Sequence, residues 1–306
     1  MPASASLLGI AGLLAVVTAL AAASGALLAR GSTAVPAAAW GVVAAGAFGL
    51  EASLRCAGWL TGPSAWAAAR LVVVALATCP AMSLLGAKRP QHGVWQLIVL
   101  ALGVTLAMPA ASASLVRPGS QPDVHLLERW FILVLFLVGW LNFAATRHGA
   151  AATLVAAGQV LLARLFLPGA TAEVEQPVSD CIAAGLAAGG AVLALVQSLP
   201  LRRRPAGRLS GPAARIDAAF VAIRETFGAA WALRIAERFD AIAKHRGWPC
   251  RLSFRGLQGA AGDAGANWAT EAERAFRALA RRFVNADWLS RHGAGGRDVD
   301  RVREGG

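Results

Sequence analysis

The sequence predicts an all-α membrane protein, a seven-helix transmembrane bundle followed by a small, mainly helical cytoplasmic region. Three observations carry that expectation. The 306-residue chain is 57% apolar and 15% charged, with a mean hydropathy of +0.55, where a soluble domain is about 45–50% apolar and about 25% charged. Its charges are segregated, with nine Lys/Arg and six Asp/Glu in residues 1–201 against twenty and eleven in residues 202–306. Seven stretches also reach the roughly 20 mainly apolar residues that a bilayer core demands.

The spans read as residues 7–28, 35–54, 67–86, 94–111, 130–146, 149–167 and 181–199. Basic residues follow the odd-numbered spans: Arg30, then Lys88 and Arg89, then Arg147, then Arg202, Arg203 and Arg204. The loop before the last span holds Glu173, Glu175 and Asp180 with no base. Lys/Arg-rich loops stay cytoplasmic, so the N-terminus is expected outside and the C-terminus in the cytoplasm. Arg55, Arg117 and Arg129 run against the bias, in loops expected outside. The opening MPASAS lacks a basic n-region, so the first span is expected to be kept, not cleaved as a signal peptide. Only two of 29 basic residues are Lys, and Ala and Gly abound, which points to a GC-rich bacterial source and its inner membrane. With ten Trp and no Tyr, Trp must supply the interfacial aromatic belt.

The chemistry-bearing residues exclude several classes. Cys56, Cys79, Cys181 and Cys250 form no C-x-x-C pair, so neither a zinc nor a redox site is expected. Cys56 and Cys181 fall near one face, which leaves a disulfide between them open. His92, His125, His148, His245 and His292 all lie outside the expected spans, so no intramembrane bis-His haem site is expected. No catalytic residues, metal or cofactor are expected. Ionisable residues inside spans are costly and are functional candidates. Glu51, Arg70 and Arg164 fall at similar depth near the outer surface, where snorkelling, an ion-pair cluster and a shallow outward cavity are the readings. Gln159, near mid-span, reads as an interhelical hydrogen bond. Gly185 and Gly189 form a G-x-x-x-G pattern that permits close helix approach, and Pro80 and Pro109 are candidate kinks.

After the last span, Arg202, Arg203, Arg204 and Arg208 form a basic juxtamembrane cluster suited to the anionic inner leaflet. One long helix is expected from Pro212 to just before Gly247, with a continuous apolar stripe that includes Phe220, Phe227, Trp231 and Phe239 as a candidate partner-binding surface. Asp240 and Lys244 are spaced as an i, i+4 pair. Residues 252–254 read as a short strand, and Gly256, Gly259, Gly262 and Gly265 as a linker. Thr270 and Glu273 read as a capping box that opens a second helix with Ala272, Phe276, Leu279 and Phe283 on its apolar face. Residues 211–292 are thus expected to form a small helical domain, and 293–306 a disordered tail.

Leu85-Gly-Ala-Lys-Arg-Pro90 with Trp95-Gln96, and Phe227–Phe239 followed by Gly247-Trp-Pro249, resemble uncharacterised bacterial multi-pass membrane proteins with a cytoplasmic tail. That resemblance implies architecture and no activity. The functional expectation is a non-enzymatic scaffold or accessory subunit with a protein partner on the cytoplasmic face. A small-solute permease and a seven-helix sensor are the alternatives. Nucleic acid is not an expected partner, because the arginines alternate with acids and no recognition motif is present.

Overall fold

The computed structural model describes residues 2–87, 92–169, 176–203, 211–259 and 266–294. It is 81% helical, with seven helices long and apolar enough to cross a membrane. The chain divides into two compact units.

The first unit holds α1 (Pro2–Leu28), α2 (Val35–Cys56), α3 (Pro63–Leu85), α4 (His92–Ala111), α5 (Leu126–Ala144), α6 (Gly149–Ala163) and most of α7 (Gln176–Arg203). Proline in the first turn of α2 and of α3 suits positions whose N–H groups need no helical partner. His125 caps α5: its Nδ1 accepts from the Leu127 amide, and its own amide donates to Glu128 Oε2. The π-type turn at Ser112–Val116 extends α4, and a 3-10 turn at Arg164–Phe166 extends α6.

α3 is the central helix. Within its most apolar window 67% of residues are buried, against 22–28% for the other six spans. Its Leu71, Val74, Cys79 and Met82 pack with Val99 and Leu106 of α4 and with Ile132 and Phe136 of α5. The other spans turn large apolar side chains such as Leu13, Leu20, Leu97 and Leu141 outward, as expected where lipid is the solvent.

Pro80 removes the N–H that would close the turn onto the Leu76 carbonyl. Nearby carbonyls recruit side chains instead. Gln159 Nε2 donates to the Ala77 carbonyl at 2.9 Å, and Thr78 Oγ1 to that of Ala75 at 2.6 Å. Gln159 is therefore the interhelical tie expected from sequence. The G-x-x-x-G pattern is a correction: nothing lies within 4 Å of a Cβ built on Gly189, and only Leu14 Cδ1, at 4.0 Å, approaches one on Gly185. The close approach falls one residue away, between α6 and α7, where a Cβ on Gly158 or Gly190 would lie 2.7 Å from the carbonyl oxygen of Ala183 or Ala151 respectively.

The second unit comprises Ala29–Thr33 and the described residues after Gln197. Its elements are α8 (Pro212–Phe227), α9 (Ala229–Arg246), β1 (Arg251–Ser253), β2 (Gly256–Gln258), α10 (Ala266–Ala280) and α11 (Ala286–Leu289). The single long helix expected over 212–246 is corrected here. Gly228, at φ 82° and ψ −173°, breaks it into two helices, a backbone state that is essentially glycine-only. The break folds the apolar stripe onto itself. Phe220, Phe227 and Phe239 are wholly buried and Trp231 nearly so; Phe227 and Trp231 pack on Phe283, and Phe239 on Phe276, at ring-centroid distances of 4.9–6.2 Å. They form the core of this unit and not an exposed partner-binding surface.

Three further expectations are revised. Gly256 is not linker but the start of β2, which pairs antiparallel with β1 in the register Leu252↔Leu257. Asp240 serves this hairpin instead of Lys244, accepting from the Leu252 amide at 2.6 Å and pairing with Arg251, while Asp217 accepts from the Leu257 amide at 2.8 Å. α10 begins at Ala266, so Thr270 is interior to the helix and does not cap it. Glu273 is bound by Arg215 and Arg277, each at 2.6 Å. Beyond it, α11 lies inside the helical domain expected over 211–292, with Trp288 1% exposed, and the turn Ser290–Ala294 runs two residues into the stretch expected as tail. Gly259 follows β2 at φ 83°, and the expectations for Gly262, Gly265 and 295–306 lie outside the described residues.

Candidate functional site

Five of the bundle's charged residues converge at the end of the unit formed by the C-terminal turns of α2, the first turns of α3, the 3-10 turn after α6 and the start of α7. Arg70 is at its centre, on α3 two turns from the helix start and 0% exposed. Its Nε and Nη2 donate to the two oxygens of Glu51 at 2.8 and 2.9 Å, a bidentate fork. Its Nη1 donates to Asp180 Oδ1 at 2.7 Å. Asp180 Oδ2 in turn accepts from Arg55 Nη1 at 2.5 Å, and Arg55 stands 3.6 Å from Glu51 one turn back on α2. Arg164 completes the group at 3.8 Å from Asp180 Oδ1. Aromatic faces line it: Arg70 lies over Phe48 and Trp66, and Arg55 over Trp66 at 4.9 Å.

The sequence expectation of an ion-pair cluster holds for Glu51, Arg70 and Arg164, and snorkelling does not. Both oxygens of Glu51 and all three nitrogens of Arg70 are engaged inside the protein. Gln159 is not a member, since its partner is the Ala77 carbonyl. Two members escaped the sequence reading. Arg55 had been assigned to the loop after α2 and Asp180 to the loop before α7, because both spans run further than their apolar stretches. The signal that finds them is helical spacing: Glu51 and Arg55 are one turn apart on one face. An acid just before an apolar run, in a bundle otherwise holding unpaired arginines, also needed a partner.

A second polar group ties α2, α3 and α4 at the other end of these helices. Gln96 Oε1 accepts from Trp40 Nε1 at 2.9 Å and Ser83 Oγ at 3.1 Å, and Trp95 Nε1 donates to the Met82 carbonyl at 2.9 Å. His148, expected outside the spans, is buried at the start of α6, 3.1 Å from Gln197 on α7. Cys56 and Cys181 are both free thiols, so the disulfide left open above is not formed. Among the described residues no group of three or more His, Cys, Asp or Glu is placed to hold a metal ion. Arg202 and Arg203 close the last turn of α7, and Arg204 and Arg208 lie outside the described residues.

In the second unit, the segment joining α1 to α2 is built into the C-terminal fold. Ser32 and Val284 form an antiparallel bridge. The Thr33 amide donates to the Phe283 carbonyl at 2.8 Å, and the Asn285 amide to the Gly31 carbonyl at 2.8 Å. Arg291 Nη2 donates to the Arg30 carbonyl at 2.6 Å. Seven crossings would put residues 29–33 and the chain after α7 on one face, and this ladder requires that they share it.

Seven apolar helices, an ion-pair cluster buried among them and a separate helical domain define the class: a multi-pass helical membrane protein. Set against protein-family models, curated proteins and solved structures, the chain matches none.

Proposed function

We propose that this chain is a non-enzymatic scaffold or accessory subunit of the bacterial inner membrane, with its N-terminus outside and its C-terminal domain in the cytoplasm as the partner-binding module. The observation that carries the reading is the ladder between residues 30–33 and 283–291. The α1–α2 connection and the chain after α7 are folded into one domain, so this domain is entered by two separate passages of the chain.

The aromatic stripe is core, so docking falls to the exposed surface. Asp217, Glu225, Asp240 and Glu273 are all engaged within the domain. Among the described residues of 211–294, ten Lys/Arg side chains are exposed, against three acids, Glu237, Glu271 and Asp287. One face of α9 carries Arg234, Arg238 and Lys244, with Glu237 among them, beside Leu233, itself 53% exposed. A surface of that sign suits an acidic protein partner and the anionic inner leaflet. The ion-pair cluster supports the scaffold reading over a permease. A guanidinium with every nitrogen committed to a carboxylate locks helices together, and a substrate would have to displace those pairs.

The test is site-specific photo-crosslinking in native membranes, with the probe at Leu233 or Arg238 and, as control, at Phe220. A discrete protein adduct at the first two positions and none at the third is expected. No adduct at any exposed position of the domain, together with solute uptake that is lost on Arg70→Gln, would contradict the reading.

A further inference from the structure

The cluster at the ends of α2, α3, α6 and α7 holds three guanidiniums, from Arg55, Arg70 and Arg164, but among the described residues only two carboxylates, Glu51 and Asp180. Counted over the described residues, the cluster carries one positive charge in excess. Arg164 is the least satisfied member. Its Nη1 donates to the Leu161 carbonyl at 3.0 Å and stands 3.8 Å from Asp180, beyond hydrogen-bond reach, while its Nη2 is buried with no acceptor. Trp66, 8% exposed and packed beneath Arg55 and Arg70, also buries its Nε1 with no acceptor. Buried donors without acceptors are costly and uncommon. A buried cation in excess adds the penalty of an uncompensated charge. Both deficits are of one kind: among the described residues the site's donors and positive charge exceed its acceptors and negative charge.

We propose that this cluster is an oxyanion site, with Arg164 as the residue that binds a phosphate-type ligand and Arg55, Arg70 and Trp66 as its surroundings. The chemistry fits. A guanidinium whose outer nitrogen is free binds phosphate oxygens through charge-assisted hydrogen bonds. Arg55, Trp66 and Arg164 lie within about one turn of a span end, toward the depth at which lipid phosphates occur, and Arg70 lies about a turn deeper. The phosphate has two sources, a lipid headgroup and free inorganic phosphate, and the two can be separated. This goes beyond the scaffold reading and does not depend on it.

The experiment uses full-length protein, delipidated in a maltoside detergent that carries no phosphate. Thermal unfolding is followed in inorganic phosphate and in chloride at matched ionic strength, and native mass spectrometry counts phospholipids retained from mild extraction. If free phosphate is the ligand, the wild type gains about 2–4 °C at roughly five times the Kd, chloride gives no such gain, and Arg164→Gln abolishes it. If a headgroup is the ligand, the wild type retains at least one phospholipid that Arg164→Gln loses. Arg164→Lys, which restores the charge without the fork, is expected to respond between the two, and it serves should the glutamine variant not fold. Equal behaviour in phosphate and chloride, with no lipid retained, overturns the proposal. So does a response that Arg164→Gln leaves unchanged.

Discussion

Removing Glu51 tests the bundle most sharply. In Glu51→Gln, Arg70 loses a bidentate carboxylate at 2.8 and 2.9 Å and keeps only Asp180 at 2.7 Å. Arg70 has no access to solvent, so water cannot replace what is lost. Breaking a buried pair by removing one partner costs about 3–5 kcal/mol, because the surviving charge is left uncompensated. Replacing both partners with apolar groups removes that liability. Glu51→Leu with Arg70→Met should therefore cost less than the two single changes added together, by at least about 1 kcal/mol. Asp180 keeps Arg55 in the double variant, so the shortfall isolates the Glu51–Arg70 coupling. The assay is reversible unfolding in mixed micelles with rising SDS, read by far-UV circular dichroism. Additive single costs, or a single cost below about 1 kcal/mol, would refute the argument. The exposed Arg251–Asp240 pair is the internal contrast, with Arg251 80% exposed and an expected coupling of about 0.2–1 kcal/mol.

Gly228→Ala should destabilise the C-terminal domain by about 1–3 kcal/mol, since no other residue adopts its backbone state without strain; amide exchange across α8 and α9 in the full chain is the readout. Phe276→Ala, at the centre of the aromatic core, should cost about 3–5 kcal/mol by the same measurement. Burial pushes the Cys250 thiol above its ordinary range, and the nearby charge of Asp240 adds to the effect. A raised thiol pKa means less thiolate at a given pH, so Cys250 should alkylate more slowly in the folded protein at pH 8–9 than after denaturation. Peptide-resolved mass spectrometry measures this, and equal rates would contradict it.

The spans were legible in the sequence because lipid demands long apolar stretches whose composition differs sharply from everything else in the chain. Their ends were not, and the site suffered for it. Arg55 and Asp180 were set aside as loop charges, although pairing inside the protein lets charged residues continue a helix past its apolar stretch. Glu51 and Arg70 could be placed at one depth by counting, but which side chain meets which depends on helix rotation, and hydropathy does not encode it. In the C-terminal domain, the spacing of Phe220, Phe227, Trp231 and Phe239 was read as one stripe on one helix. A single glycine at position 228 turned that stripe inward, and the continuous spacing concealed the break. Thr270 three residues before Glu273 is the local pattern of a capping box, and the ion pair of Glu273 with Arg215 overrides it. That pair also raises the Arg215 pKa, chiefly through its hydrogen bond to Glu273. The ladder from residues 30–33 to 283–291 joins segments some 250 residues apart, and nothing in either segment advertises the other.

The most direct test is the sidedness of that ladder. Single cysteines are placed at Arg30 and Arg282, and at Trp59 and Arg117, all exposed positions, in a chain whose native cysteines are replaced, and intact cells are treated with a membrane-impermeant maleimide. Positions 59 and 117 should label at once, and positions 30 and 282 only after the membrane is opened. Labelling of 30 and 282 from opposite sides would contradict both the seven crossings and the ladder that joins the two segments.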